Sequence, residues 1–81
     1  MDRIQIEQKV SAVFSKILRM QFENNHSITR EHLSKWDSLK HIEIMFALED
    51  DLVVEFTEQE LVDLDSFQNI VEAVWRRKNA A

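Results

Sequence analysis

The sequence predicts an all-α fold: a small four-helix bundle with a long loop between helices 1 and 2 and a short helix 3. Apolar residues recur at helical spacing in three segments, and no segment alternates as a strand would. Glycine and proline are both absent, so Asn, Ser, Asp and Thr must mark the helix ends by competing for backbone hydrogen bonds. A chain of 81 residues has room for one core, so residues 1–81 are expected to form a single domain.

The first helix is predicted by apolar residues at i, i+4, i+7, i+8 and i+11, which share one helical face: Ile6, Val10, Val13, Phe14 and Ile17. This pattern places a helix at about residues 3–20, ended by Asn24–Ser27. Residues 21–37 show no sustained period and are predicted to form a loop, with these apolar anchors: Phe22, Ile28, Leu33 and Trp36. A loop of this length in a small domain is often functional.

The later helices are marked by capping residues. A second helix is predicted from Asp37 or Ser38 to about Leu52, with Asp37 accepting hydrogen bonds from the first free amides. Thr57-Glu58-Gln59-Glu60 matches a capping box and opens a short third helix. Asp65 or Ser66 is expected to cap a fourth, whose apolar face holds Phe67, Ile70, Val71 and Val74.

The second helix carries two apolar stripes. The core stripe is predicted to contain Ile44, Met45, Leu48 and Leu52. The second stripe contains Leu39, Phe46 and Val53, with Ile42 beside them, and Glu43 and Asp50 lie along its edge. An exposed apolar stripe with an acidic rim is expected to be a docking surface. The alternative is that Ile42 and Phe46 pack beneath the long loop.

Charge is distributed unevenly along the chain, whose net charge is −5. Residues 41–75 contain no Lys or Arg and ten acidic residues. Such a field repels nucleic acid phosphates and anionic membranes and favours basic protein partners. We therefore expect neither a nucleic acid nor a membrane partner.

Several other site classes are not indicated. The chain has no cysteine for disulfides or metal ligation, and His26, His32 and His41 lack metal-ligand spacing and are expected on the surface or in loops. No metal site is therefore predicted. The first seven residues lack an apolar signal core, and no apolar run approaches the length of a membrane span, so a cytoplasmic protein is expected.

Ser38 has several possible roles at the start of the second helix. It could be structural there, and Ser34–Asp37 even matches a capping-box pattern of its own. Catalysis with His41, three residues on, is not favoured, because the sequence indicates no Gly-x-Ser-x-Gly turn, orienting acid or oxyanion hole. No catalytic residue is therefore expected. The amides and dipole of a helix N-terminus do suit a phosphate ester.

A longer pattern indicates a more specific role for Ser38: Asp37-Ser38-Leu39-x-x-x-Glu43-Ile44-x-x-x-Leu48-Glu49-Asp50-Asp51-Leu52-x-Val54-x-Phe56. This run resembles the acyl carrier protein family, in which Asp-Ser-Leu opens the second helix. In weaker form the resemblance covers about residues 4–76. It implies a bundle of acyl-carrier type, monomeric, in which Ser38, with Asp37 as the helix cap beside it, carries 4′-phosphopantetheine derived from coenzyme A.

The resemblance also implies a function and partners. The arm would be attached by a phosphopantetheinyl transferase and would hold acyl or aminoacyl groups as thioesters. Ligases, synthases or transferases with basic docking patches would load and use these groups. The partner-binding residues would be Leu39, Glu43, Phe46, Glu49 and Asp50, of which Glu49 rests on the resemblance alone. Trp36-Asp37-Ser38-Leu39-x-His41 is more similar to small stand-alone carriers of polyketide, peptide or other specialised pathways. The alternative is an unmodified, carrier-like adaptor or interaction domain.

Overall fold

A computed structural model describes residues 2–20 and 28–79, and it has the predicted all-α, four-helix fold. The helices are α1 (Arg3–Leu18), α2 (Ser38–Leu52), α3 (Glu58–Asp63) and α4 (Phe67–Asn79), with a 3-10 helix at Arg30–His32 before α2. Within the described ranges there is no strand, although an isolated antiparallel bridge joins Thr29 and Ser66. The predicted break at Asn24–Ser27 and the loop anchor Phe22 lie outside those ranges.

Local side-chain caps explain where the helices begin. The Asp2 carboxylate accepts from the Gln5 N–H at 2.8 Å, and the Gln5 side chain accepts in return from the Asp2 N–H. The capping box predicted for α3 is confirmed, with Thr57 and Glu60 each accepting from the other's backbone N–H. At α4 the cap is Ser66, whose Oγ accepts from the Asn69 N–H at 3.1 Å.

The ends of α1 and α2 show how a chain without glycine stops a helix. Arg19 and Val53 both adopt φ of 54°, in the left-handed region, and their N–H groups bond back to Ser15 and Glu49. This conformation is unfavourable for residues with a Cβ, above all for a β-branched one such as Val53. The bonds back to the last turn offset part of that cost.

The core lies between α1, α2 and α4 and extends to the loop before α2. Its predicted stripe on α2 is confirmed, because Ile44, Met45, Leu48 and Leu52 are all buried. Phe14 of α1 meets Trp36 edge-on at a centroid distance of 4.9 Å and Phe67 at 5.7 Å. Trp36 therefore belongs to the core although it lies in a loop, as its predicted role as an anchor requires.

Arg77 joins α4 to α3 and to the segment between α2 and α3. Its guanidinium donates to the Glu60 carboxylate and to the Glu55 carbonyl, and it lies 5.3 Å from the centre of the Phe56 ring. Burial alone would raise the pKa of Glu60, but hydrogen bonds from the Thr57 N–H and from Arg77 bring that pKa below its usual value. These contacts hold α3, which has no fully buried residue, against the bundle.

Two local expectations are corrected. His41 was expected on the surface or in a loop, but it lies in α2 and is only 2% exposed. The pattern at Ser34–Asp37 does not form a capping box, since Ser34 and Lys35 lie in a turn and Asp37 is itself the cap of α2.

Candidate functional site

Ser38 is the first residue of α2, and its side chain is exposed. Asp37 precedes it in an extended conformation, and the Asp37 carboxylate accepts from the Lys40 N–H at 2.9 Å. The predicted cap is thus confirmed. It fixes the direction of the first turn of α2, so the Ser38 hydroxyl has a defined position at the surface of the bundle.

Arg30 contacts Ser38, and no sequence pattern predicts this contact. Its Nη2 donates to Ser38 Oγ at 2.6 Å across the end of the loop. The Arg30 backbone is held in place by its own N–H, which donates to the Asp65 carbonyl at 2.8 Å. Nearby, the Phe67 N–H donates to the Ile28 carbonyl, so the loop is attached to the start of α4. A cation is therefore presented to Ser38 from an anchored backbone.

Behind Ser38, a buried hydrogen-bonded chain joins the loop, α2 and α3. Trp36 Nε1 donates to His41 Nδ1, so the ring proton of neutral His41 lies on Nε2, which contacts the Leu61 carbonyl at 2.6 Å. Burial lowers the pKa of His41, partly offset by the bond to Leu61. Because both ring nitrogens are engaged in these contacts, Ser38 and His41 do not form a nucleophile–base pair.

The second apolar stripe of α2, which we call the apolar strip, faces solvent. The exposed fractions are 67% for Leu39, 41% for Ile42, 56% for Phe46 and 83% for Val53. The alternative that Ile42 and Phe46 pack beneath the loop is therefore wrong. The strip runs along α2 away from Ser38, and its exposed side chains are available for contact with another protein.

The three acidic residues assigned to docking have different surroundings. Glu43 is exposed and pairs with Lys40 Nζ at 3.5 Å, and Asp50 is exposed beside the strip. Glu49 is half-buried, and its carboxylate accepts from the Phe56 N–H at 2.8 Å, which holds the chain after α2. A surface cleft of about 490 Å³ lies beside these residues, lined by Phe46, Glu49, Asp50, Val54, Glu55 and Phe56. Asp50 is thus less constrained than Glu49 at this end of the strip.

Two further properties bear on the possible site. Among residues 2–20 and 28–79, no group of three or more His, Asp or Glu side chains is placed to hold a metal ion. Over the same part of the chain, no helix is both long enough and apolar enough to cross a membrane.

Comparison with models of known protein families gave no match, and comparison with curated proteins gave none either. Support for a function therefore comes from the residues around Ser38 and along α2.

Proposed function

We propose that this chain is an acyl carrier protein, with a 4′-phosphopantetheine arm on Ser38 that holds acyl or aminoacyl intermediates as thioesters. The main supporting observation is the exposed Ser38 hydroxyl at the first position of α2, from which the exposed apolar strip extends. An enzyme could reach this hydroxyl and contact the strip at the same time. The resemblance of the α2 sequence to the acyl carrier family supports the same assignment.

The residues around Ser38 suit the attachment reaction. Ser38 Oγ would form a bond to the pantetheine-bearing phosphorus of coenzyme A, while the bond from that phosphorus to adenosine 3′,5′-bisphosphate breaks and the nucleotide leaves with the electron pair. The hydroxyl proton would pass to a base on the transferase. Oγ accepts a hydrogen bond from Arg30, so its own proton remains available to such a base, and the cation stabilises negative charge developing on Oγ.

The residues of this protein would position Ser38 for the transfer and would not catalyse it. Asp37 holds the first turn of α2, and the buried chain from Trp36 through His41 to Leu61 fixes that turn against α3. When attached, the arm supplies the thiol on which cargo is carried. The proposal places this protein in the cytoplasm as a monomer, in a polyketide, peptide or other specialised pathway, without nucleic acid or membrane partners.

The partners would be a phosphopantetheinyl transferase and the ligases, synthases or transferases that load and use the cargo. The apolar strip would contact an apolar patch on the partner, while Glu43 and Asp50 would attract a basic rim. Glu49 would contribute less, because its carboxylate already accepts the Phe56 N–H. The unmodified adaptor remains the second candidate, favoured by the exposed strip, which a partner could contact without any modification of Ser38.

The decisive experiment is incubation with coenzyme A, Mg²⁺ and a broad-specificity phosphopantetheinyl transferase, followed by intact-mass analysis. We expect a mass gain of one phosphopantetheine for the wild type and for Ser34→Ala, a matched control at an exposed serine in the loop before α2. Ser38→Ala should show none. A wild-type protein that stays unmodified would refute the carrier and leave the adaptor, while an adduct on Ser38→Ala would relocate the site.

A further inference from the structure

The residue contacting Ser38 suggests how the arm is held once it is attached. We propose that Arg30 is a positioning residue that pairs with the phosphodiester on Ser38 and sets the arm at the mouth of a cleft between the loop and α3. This inference rests on the proposed function.

The first support is the contact itself. Arg30 Nη2 lies 2.6 Å from Ser38 Oγ, the atom that becomes the ester oxygen. The two non-bridging oxygens of a phosphodiester, which share one negative charge, are then only two covalent bonds from an atom that Arg30 already contacts. A guanidinium presents several N–H donors in one plane, which suits phosphate oxygens and forms stronger bonds than those it makes to a neutral hydroxyl. Arg30 can thus exchange a weak partner for a strong one with a small movement.

The second support is the way Arg30 is anchored. Its N–H donates to the Asp65 carbonyl, and its neighbour Thr29 is bridged to Ser66, so the side chain starts from a backbone tied to the start of α4. Lys40, a nearby cation in the first turn of α2, instead pairs with Glu43. Arg30 thus reaches the attachment point from an anchored backbone, and less entropy is lost when it pairs with phosphate.

The third support is the surface that Arg30 shares with α3. A cleft of about 350 Å³ lies there, lined by Arg30, Glu31, Leu33, Ser34, Trp36, Val62 and Asp65. Since one side chain both lines this cleft and contacts Ser38, a phosphate paired with it would start the arm on the α3 side. Such a start directs the arm away from the apolar strip, which would stay free for partner proteins.

The test is a thermodynamic cycle on four proteins: the unmodified and phosphopantetheine-loaded forms of the wild type and of Arg30→Ala. Thermal unfolding is followed by circular dichroism at low salt. We expect loading to change Tm more favourably in the wild type than in Arg30→Ala, by about 2–6 °C for a domain of this size. A structural role for Arg30 would lower both forms equally and leave the change on loading untouched. Lys35→Ala, which removes an exposed cation from the same loop, should behave as wild type.

A second measurement tests the inference if Arg30→Ala folds poorly, and it also shows where the arm lies. Amide NMR spectra of the wild type and of Arg30→Lys, which keeps the charge but loses the planar donors, are compared before and after loading. Wild-type shifts should include Val62 and be smaller at Phe46, with the Val62 shift reduced in Arg30→Lys. Equal Tm changes in the cycle, equal Val62 shifts in wild type and Arg30→Lys, or shifts confined to the strip would each overturn the inference. Failure of the carrier proposal would be recognised separately, because no loaded protein would form.

Discussion

The indole N–H of Trp36 donates to Nδ1 of His41 across 2.9 Å, and this bond fixes the end of the loop to the first turn of α2. Both side chains are buried, and their rings stack with centroids 5.7 Å apart. The other ring nitrogen of His41 meets the Leu61 carbonyl, so α3 joins the same chain. His41 completes the first turn of α2, so the position of Ser38 depends on a buried polar contact in which every member has a partner.

Trp36→Phe tests how much that contact contributes to the stability of the fold. The substitution removes the donor to His41 Nδ1 and part of the ring that packs on Phe14. An unpaired buried acceptor and a cavity together should lower the free energy of unfolding by about 2–4 kcal/mol. Urea unfolding followed by circular dichroism measures it. The matched control is Trp75→Phe, whose indole is 36% exposed and whose loss should stay under about 1 kcal/mol. Equal losses of unfolding free energy in the two variants would contradict the proposed contribution of the Trp36–His41 contact.

His41 also predicts a pH dependence of stability. Burial lowers its folded-state pKa below 6.5; the bond to Leu61 and the charge of Asp65 oppose this shift, and the charge of Arg30 adds to it. Between the folded pKa and 6.5 the unfolded chain binds more protons, so stability is complete above 6.5 and falls as the pH drops through this window. The slope from one such group cannot exceed about 1.4 kcal/mol per pH unit.

Urea unfolding between pH 7.5 and pH 5 checks this dependence, with His41→Gln as the comparison. Both proteins keep His26 and His32, so the difference between their curves isolates His41. The wild type should lose more stability than the variant on acidification. Parallel curves would show that His41 has the same pKa folded and unfolded.

The helices and their caps could be predicted because their signals are local. Thr57 and Glu60 of the α3 capping box are three residues apart, and Asp37 caps an amide three residues away, so short sequence patterns contain both partners. The exposed strip was predictable for a similar reason, since helical periodicity alone separates it from the core stripe. Whether Ile42 and Phe46 lie under the loop was not, because periodicity carries no information on the path of a loop.

The contacts that complete the candidate site were not predictable in the same way. Arg30 reaches Ser38 only because the loop is held to the start of α4, through bonds between residues more than 30 positions apart. His41 was expected on the surface or in a loop, because its partners, Trp36 and the Leu61 carbonyl, are brought to it by packing that no local pattern shows. A tryptophan shortly before a histidine in a helical core stripe was the one available signal, and it is weak.

The cap at Asp37 predicts a measurable link between helix stability and modification. Asp37→Ala removes the acceptor of the Lys40 N–H and should lower the free energy of unfolding by about 1 kcal/mol. Because the first turn then frays around Ser38, the initial rate of phosphopantetheine transfer should fall as well. Asp37→Asn keeps a capping oxygen and should recover most of both losses. An Asp37→Ala protein with normal stability would show that the cap contributes nothing.

Docking on α2 is tested by two charge reversals of equal size on the same helix. Asp50 lies beside the apolar strip, whereas Asp51 is also exposed but lies about 100° further around α2. If basic partners use the strip, Asp50→Lys should slow phosphopantetheine transfer about threefold to tenfold at low salt, with the difference shrinking as salt screens the attraction. Asp51→Lys should have a much smaller effect, and circular dichroism should show both folded. Equal slowing by the two variants would indicate a response to net charge alone, and a larger effect of Asp51→Lys would move the docking face around α2 from the apolar strip towards Asp51.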